Sequence, residues 1–120
     1  MTTPADIHVE RRGELVIGRL VGEIDASNAA WMGGRLRAEL TNRSDALVVD
    51  LSTVTYIDSA GIALLFELAE DLRTHRQQLQ LVIPEDSPIA RMATLTGLSD
   101  AVPTRGSLQA VGADERASSP

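Results

Sequence analysis

Three side chains concentrate the chemistry this sequence could carry: Asp25, Asp58 and Ser59. Ser59 follows Asp58 directly, and Ala60 and Gly61 then open a strongly apolar segment. That order places one hydroxyl at or next to the first turn of a helix, where several backbone N–H groups lack partners. A phosphate added there is expected to meet the positive end of a helix dipole and free donors. On position alone Ser59 reads first as a helix cap, and Asp58 could fill that role too. The small residues raise the second reading, a serine phospho-acceptor, because Ala60 and Gly61 are expected to leave room for another protein to approach.

A nucleophilic Ser59 would need a base within hydrogen-bond reach. His75 lies sixteen residues further along the same predicted helix, roughly 24 Å away by helical rise. His8 sits near the start of the chain with no spacing that links it to Ser59. No G-x-S-x-G elbow is present, so no catalytic residue is assigned and an enzyme is not expected. Asp50 ends an apolar strand, as the phospho-accepting aspartate of a response-regulator receiver does. Receivers also need an acidic pair after the first strand and a later lysine, and both are missing here.

Composition narrows the field further. All 11 basic residues are arginine, which excludes a P-loop lysine and Schiff-base chemistry. There is no cysteine, hence no disulfide, thiol nucleophile or Cys-based metal site. Two isolated histidines and scattered carboxylates give no ligand spacing, so no metal and no cofactor is expected. A net charge of −6 repels phosphodiester backbones, and nucleic-acid binding is not expected. The start of the chain lacks the basic and apolar regions of a signal peptide. No apolar run approaches the ~20 residues that span a bilayer, so membrane insertion is not expected. The expected location is the cytoplasm.

These groups must be positioned by 120 residues, enough for one domain with one core. Residues 1–6 read as a tail, 7–111 as the domain and 112–120 as a disordered tail. Strands are predicted over 7–10, 15–22, 46–51 and 79–83. The third is apolar on both faces and should be central. After it the pattern predicts a short turn leading to Tyr56-Ile57-Asp58.

A loop over 23–28 ends in good N-cap residues, Ser27 and Asn28, before a helix to about Thr41. Gly33-Gly34 inside that helix signals either a close packing approach or a weak helix. Trp31 lies off the apolar stripe, as a contact residue or as a cover for the helix start. A second helix is predicted from Ser59 to about His75, with Ile62, Leu65, Phe66, Ala69 and Leu72 inward. Ser87-Pro88 opens a third, which stops at Gly97. An edge strand at 101–103 and a short helix at 107–111 complete the order. Strands three and four flanking a helix require a parallel crossover.

The chain resembles the STAS domain family (sulphate transporter and anti-sigma-factor antagonist) in its stand-alone bacterial form. The matching segments are Gly22-Glu23-Ile24-Asp25, Val48-Val49-Asp50-Leu51 through Tyr56-Ile57-Asp58-Ser59-Ala60-Gly61-Ile62, and Leu95-Thr96-Gly97-Leu98. The resemblance implies an α/β fold, a four- or five-stranded mixed β-sheet covered by about four helices.

It further implies an antagonist that binds an anti-sigma factor, itself a serine kinase, and so releases a sigma factor. Phosphorylation of Ser59 switches binding off and a PP2C-type phosphatase restores it. Asp25 matches a loop acid near that site. The implied partner-binding residues are Asp25, Ser27, Asn28, Asp58, Ser59, Ala60, Gly61 and Ile62. Negative charge added beside Asp58 and Asp25 is expected to expel an acidic partner surface. Ala60 stands where many antagonists have a second serine, leaving one acceptor. The alternative is a scaffold or accessory subunit of a stress-sensing or lipid-transport complex with no antagonist cycle. Either a monomer or a weak dimer is compatible with the sequence.

Overall fold

The structure is a computed structural model that describes residues 5–44 and 46–111. The expected C-terminal tail, and all but the last two residues of the expected N-terminal tail, lie outside these residues. β1 (Asp6–Arg12) turns through Gly13-Glu14 into β2 (Leu15–Ile24). Gly13 adopts φ +61°, the conformation that tight two-residue hairpins demand and glycine supplies without strain. Then follow α1 (Ala29–Ala38), β3 (Ala46–Ile57), α2 (Ser59–Thr74), β4 (Gln78–Val82), α3 (Ala90–Leu95), α4 (Leu98–Ala101) and β5 (Thr104–Arg105). Residues 108–111 form a last helical turn.

The strands make one five-stranded sheet in the order β1-β2-β3-β4-β5. β1 runs antiparallel to β2, and the other pairs are parallel. A mixed sheet with β3 at its centre matches the expectation. Alternation along β3 sends Leu47, Val49 and Leu51 to one face and Val48 and Asp50 to the other. The first set joins Met32 and Leu36 of α1, and Leu64, Leu65, Leu68 and Leu72 of α2, in the main core. The second face is closed by Val111, which packs with Ile17, Val48 and Val82.

Several boundaries differ from the sequence reading. β3 does not turn at Leu51 but runs to Ile57. Its later residues are β-formers, and Thr53 Oγ1 donates to the Leu20 carbonyl of β2 at 2.9 Å. The pairing absorbs two register shifts, between Arg19 and Val21 and between Gly22 and Glu23. α1 stops at Ala38, short of Thr41. There Thr41 and Ser44 build their own turn, and the Gln77 amide donates to both of their carbonyls at 2.9 Å. The last strand is Thr104–Arg105 rather than 101–103, because α4 continues to Ala101.

Gly33 resolves the question posed by the glycine pair. A Cβ there would lie 2.5 Å from Leu64 Cδ1, whereas one on Gly34 would meet nothing. Gly33 is therefore the close approach of α1 to α2. Gly97 adopts φ +80°, ends α3 as expected, and sends Leu98 into the core. Trp31 stays off the buried stripe and is 49% exposed.

Candidate functional site

α2 begins at Ser59 because Asp58 stops β3 and caps the helix. The Asp58 backbone is extended, with φ −100° and ψ −172°, as an N-cap residue requires. Its Oδ1 accepts the N–H groups of Ala60 at 2.9 Å and Gly61 at 3.1 Å. Its carbonyl accepts from Ile62 N at 3.0 Å, the first turn of the helix. Its own N–H donates to the Ile24 carbonyl at 3.1 Å, holding it to the end of β2. The cap is thus Asp58, and Ser59 is the first helical residue.

This arrangement narrows the expectation of free donors at Ser59. The N–H groups of the second and third helical positions already serve the Asp58 carboxylate. The Ser59 side chain is exposed and its hydroxyl makes no hydrogen bond among the described residues.

Gly61 corrects a second expectation. A Cβ at Gly61 would lie 2.5 Å from Ile57 Cγ1 and 3.0 Å from Ile24 Cγ2. The missing side chain makes room for this protein's own β2 and β3. Ile62 is also buried, and Ala60 is half-buried.

The β2–α1 loop lies against the same point. Asp58 Oδ2 accepts the backbone N–H of Ala26 at 3.2 Å. Asp25 Oδ1 accepts the Ser27 N–H at 2.9 Å and, in a shorter contact, the Ser27 hydroxyl. The Ser27 hydroxyl, and then the Ser27 N–H, hold the Asp25 carboxyl below its ordinary value, with desolvation opposing them and the Asn28 N–H adding to them. Asn28 precedes α1 but does not cap it with its side chain. Its Oδ1 accepts Asp25 N at 3.0 Å and its Nδ2 donates to the Glu23 carbonyl at 2.8 Å, closing the loop on itself. The first N–H of α1, from Ala29, goes to the Asp25 carbonyl at 2.9 Å.

The structure therefore brings Asp25, Ser27, Asn28, Asp58, Ser59 and Ala60 to one end of the sheet. Ser27 and Ser59 are its exposed hydroxyl residues, and both carboxylates accept backbone N–H groups. Tyr56, 50% exposed and two residues before Asp58, flanks this end. The sequence reading places Tyr56 in the motif and gives it no exposed position. It missed the Ala26 N–H altogether, since a backbone donor carries no residue-type signal.

The remaining candidates lie elsewhere. His75 caps the far end of α2, its Nδ1 2.8 Å from the Asp71 carbonyl oxygen. His8 is on β1 beside Asp6. Neither can deprotonate Ser59. Asp50 is buried, accepts Ser52 N at 3.0 Å and lies in register with Arg19 of β2. No grouping of His, Asp and Glu suited to a metal occurs among the described residues, and none of their helices is long and apolar enough to cross a membrane.

The model of the STAS domain family matches residues 6–111. A protein of Listeria monocytogenes named anti-sigma-B factor antagonist is 31% identical over 83 residues, covering 69% of this chain and 72% of its own. The crystal structure of an anti-sigma factor antagonist from Mycobacterium paratuberculosis matches with a TM-score of 0.79, at 25% identity, over 97% of this chain and 99% of that one. The anti-sigma factor antagonist SpoIIAA, in its unphosphorylated form, shares the fold at 18% identity. Its TM-score is 0.70 over 95% of this chain and 100% of that one.

Proposed function

This chain belongs to the STAS domain family, and from that premise we propose that it is an anti-sigma factor antagonist switched by phosphorylation of Ser59. It acts by binding. In the unmodified state the surface around Ser59, Ser27, Asp25 and Asp58 engages an anti-sigma factor that is also a serine kinase, and a sigma factor is released. Ala60 contributes its half-exposed methyl group. Asn28, Gly61 and Ile62 shape this surface from beneath. Transfer of a phosphoryl group to Ser59 ends binding, a PP2C-type phosphatase restores it, and the cycle runs in the cytoplasm.

The observation that carries this reading is the exposed Ser59 hydroxyl beside a carboxylate that has taken the helix-end donors. Phosphorylation adds ~1.5 to 2 negative charges. The Ala60 and Gly61 donors are spent on Asp58 and do not neutralise that charge. It falls on the interface, where burying it uncompensated is costly. The names carried by the Listeria and Mycobacterium relatives support the antagonist role.

Phosphopeptide mass spectrometry on the protein isolated from its native cells, growing and stressed, tests the switch. A phosphate on Ser59 whose occupancy changes with condition is the expected result. An unmodified Ser59 in every condition contradicts it and leaves the scaffold role.

A further inference from the structure

β1 is an edge strand: among the described residues its one neighbour in the sheet is β2. An edge strand presents unpaired N–H and C=O groups to any chain that can lie alongside. Three devices that usually blunt such an edge, shortness, proline and a bulge, are missing from β1, and its charged side chains are the one that remains. It is seven residues long, contains no proline, and keeps an unbroken register with β2 from Asp6 to Arg12.

Its side chains have a particular order. Asp6, His8, Glu10 and Arg12 share one face and are all exposed. Along the strand they read acid, base, acid, base. The opposite face carries Ile7, Val9 and Arg11, with Ile7 buried and Val9 half-buried.

We propose that β1 pairs antiparallel with β1 of a second copy about a twofold axis through Val9, joining two five-stranded sheets into one. In this register Asp6 lies opposite the partner's Arg12, and His8 opposite the partner's Glu10. Val9 meets the partner's Val9 on the axis, a β-branched pair of the kind that stabilises sheets.

Neighbouring twofold registers lack this match. Centred on His8, the pairing sets Asp6 against the partner's Glu10. Centred on Glu10, it sets that carboxylate against its own copy. Like charges directly opposite one another are destabilising. The charge order of β1 therefore selects one self-complementary register, as an isologous contact requires.

Within one chain the same side chains pair along the strand, His8 with Asp6 at 3.3 Å and Arg12 with Glu10 at 2.8 Å. These exposed pairs contribute little and exchange readily for cross-strand partners. A single strand pair makes a small contact, so the dimer is concentration-dependent and salt-sensitive. β2 separates β1 from β3, whose end leads to Ser59. The pairing thus stands apart from the proposed switch and does not depend on it.

Sedimentation equilibrium of the full chain at low and high salt, with D6R and R12D as variants, tests the proposal. The wild type is expected to form a reversible dimer that weakens with salt. Each variant alone places like charges opposite one another and is expected to weaken the dimer at least tenfold. An equimolar mixture of the two is expected to recover it, because each altered position then faces its opposite in the other chain. Misfolded variants could not rescue each other, so the mixture also controls for folding. A wild type that stays monomeric at every concentration overturns the proposal. So do single variants that dimerise like the wild type, or a mixture without recovery.

Discussion

Asp58 accepts the backbone N–H of Ala26 across 32 residues of sequence at 3.2 Å, while its other oxygen caps α2. One carboxylate thus ties the β2–α1 loop to the helix that begins with Ser59. The two halves of the candidate surface are held together by this side chain and by the Asp58 N–H to Ile24 carbonyl bond.

Removing that carboxylate should therefore cost both stability and order. Asp58→Ala loses the helix cap and the loop contact, with an expected destabilisation of about 1–2 kcal/mol. Urea unfolding checks the stability. Amide exchange at Ala26, Ala60 and Gly61 checks the contacts, and protection there is expected to fall more than at Leu65 in mid-helix. Unchanged exchange at Ala26 would contradict the coupling.

The two glycines of α1 should respond in opposite directions to the same change. Gly33→Ala forces a methyl group toward Leu64, whose side chain is itself buried, and overpacking of this kind costs about 1–3 kcal/mol. Gly34→Ala adds a methyl group in open space, and the gain in helix propensity is expected to stabilise by up to about 1 kcal/mol. Denaturant midpoints of the two variants measure the difference directly.

Asp25 predicts a pH effect. Its carboxyl is held below the ordinary value of 3.8, first by the Ser27 hydroxyl and then by the Ser27 N–H. A group depressed in the folded state stabilises fully above its unfolded value, and loses that contribution as pH falls through the folded value. The loss should begin near pH 4 and continue below it. Because Asp25 is half-exposed and screened by solvent, the effect is small. Stability measured from pH 6 to pH 2 is expected to fall less steeply in Asp25→Asn than in the wild type over this window. Parallel curves would show that the Ser27 contacts do not hold the carboxylate.

Much of this architecture could be read from residue types. The apolar run at 46–51, the Asp58-Ser59 step and the glycine at 97 each carry a strong local signal, and each marks an element or boundary that the structure contains. The second half of β3 was not legible. Ser52, Thr53 and Thr55 are exposed on a part of the sheet where no apolar alternation is needed, and their polarity resembles a turn. Thr53 and Thr55 instead donate to carbonyls of β2, which only the paired sheet supplies. At the candidate site Ser59, Asp58 and Asp25 were visible as side chains. The Ala26 N–H and the space that Gly61 leaves for Ile57 and Ile24 are tertiary relationships, and sequence spacing does not encode them.

The central claim is that charge at Ser59 controls partner binding. Its most direct test is the affinity of this protein for an anti-sigma factor isolated by pull-down from its native cells, measured by titration for wild type, Ser59→Ala and Ser59→Asp. Ser59 is exposed, so both variants should fold with melting behaviour close to wild type. The account predicts that Ser59→Ala binds within a few-fold of wild type, and that Ser59→Asp loses at least tenfold, about 1.4 kcal/mol. Binding of Ser59→Asp as tight as wild type would contradict it.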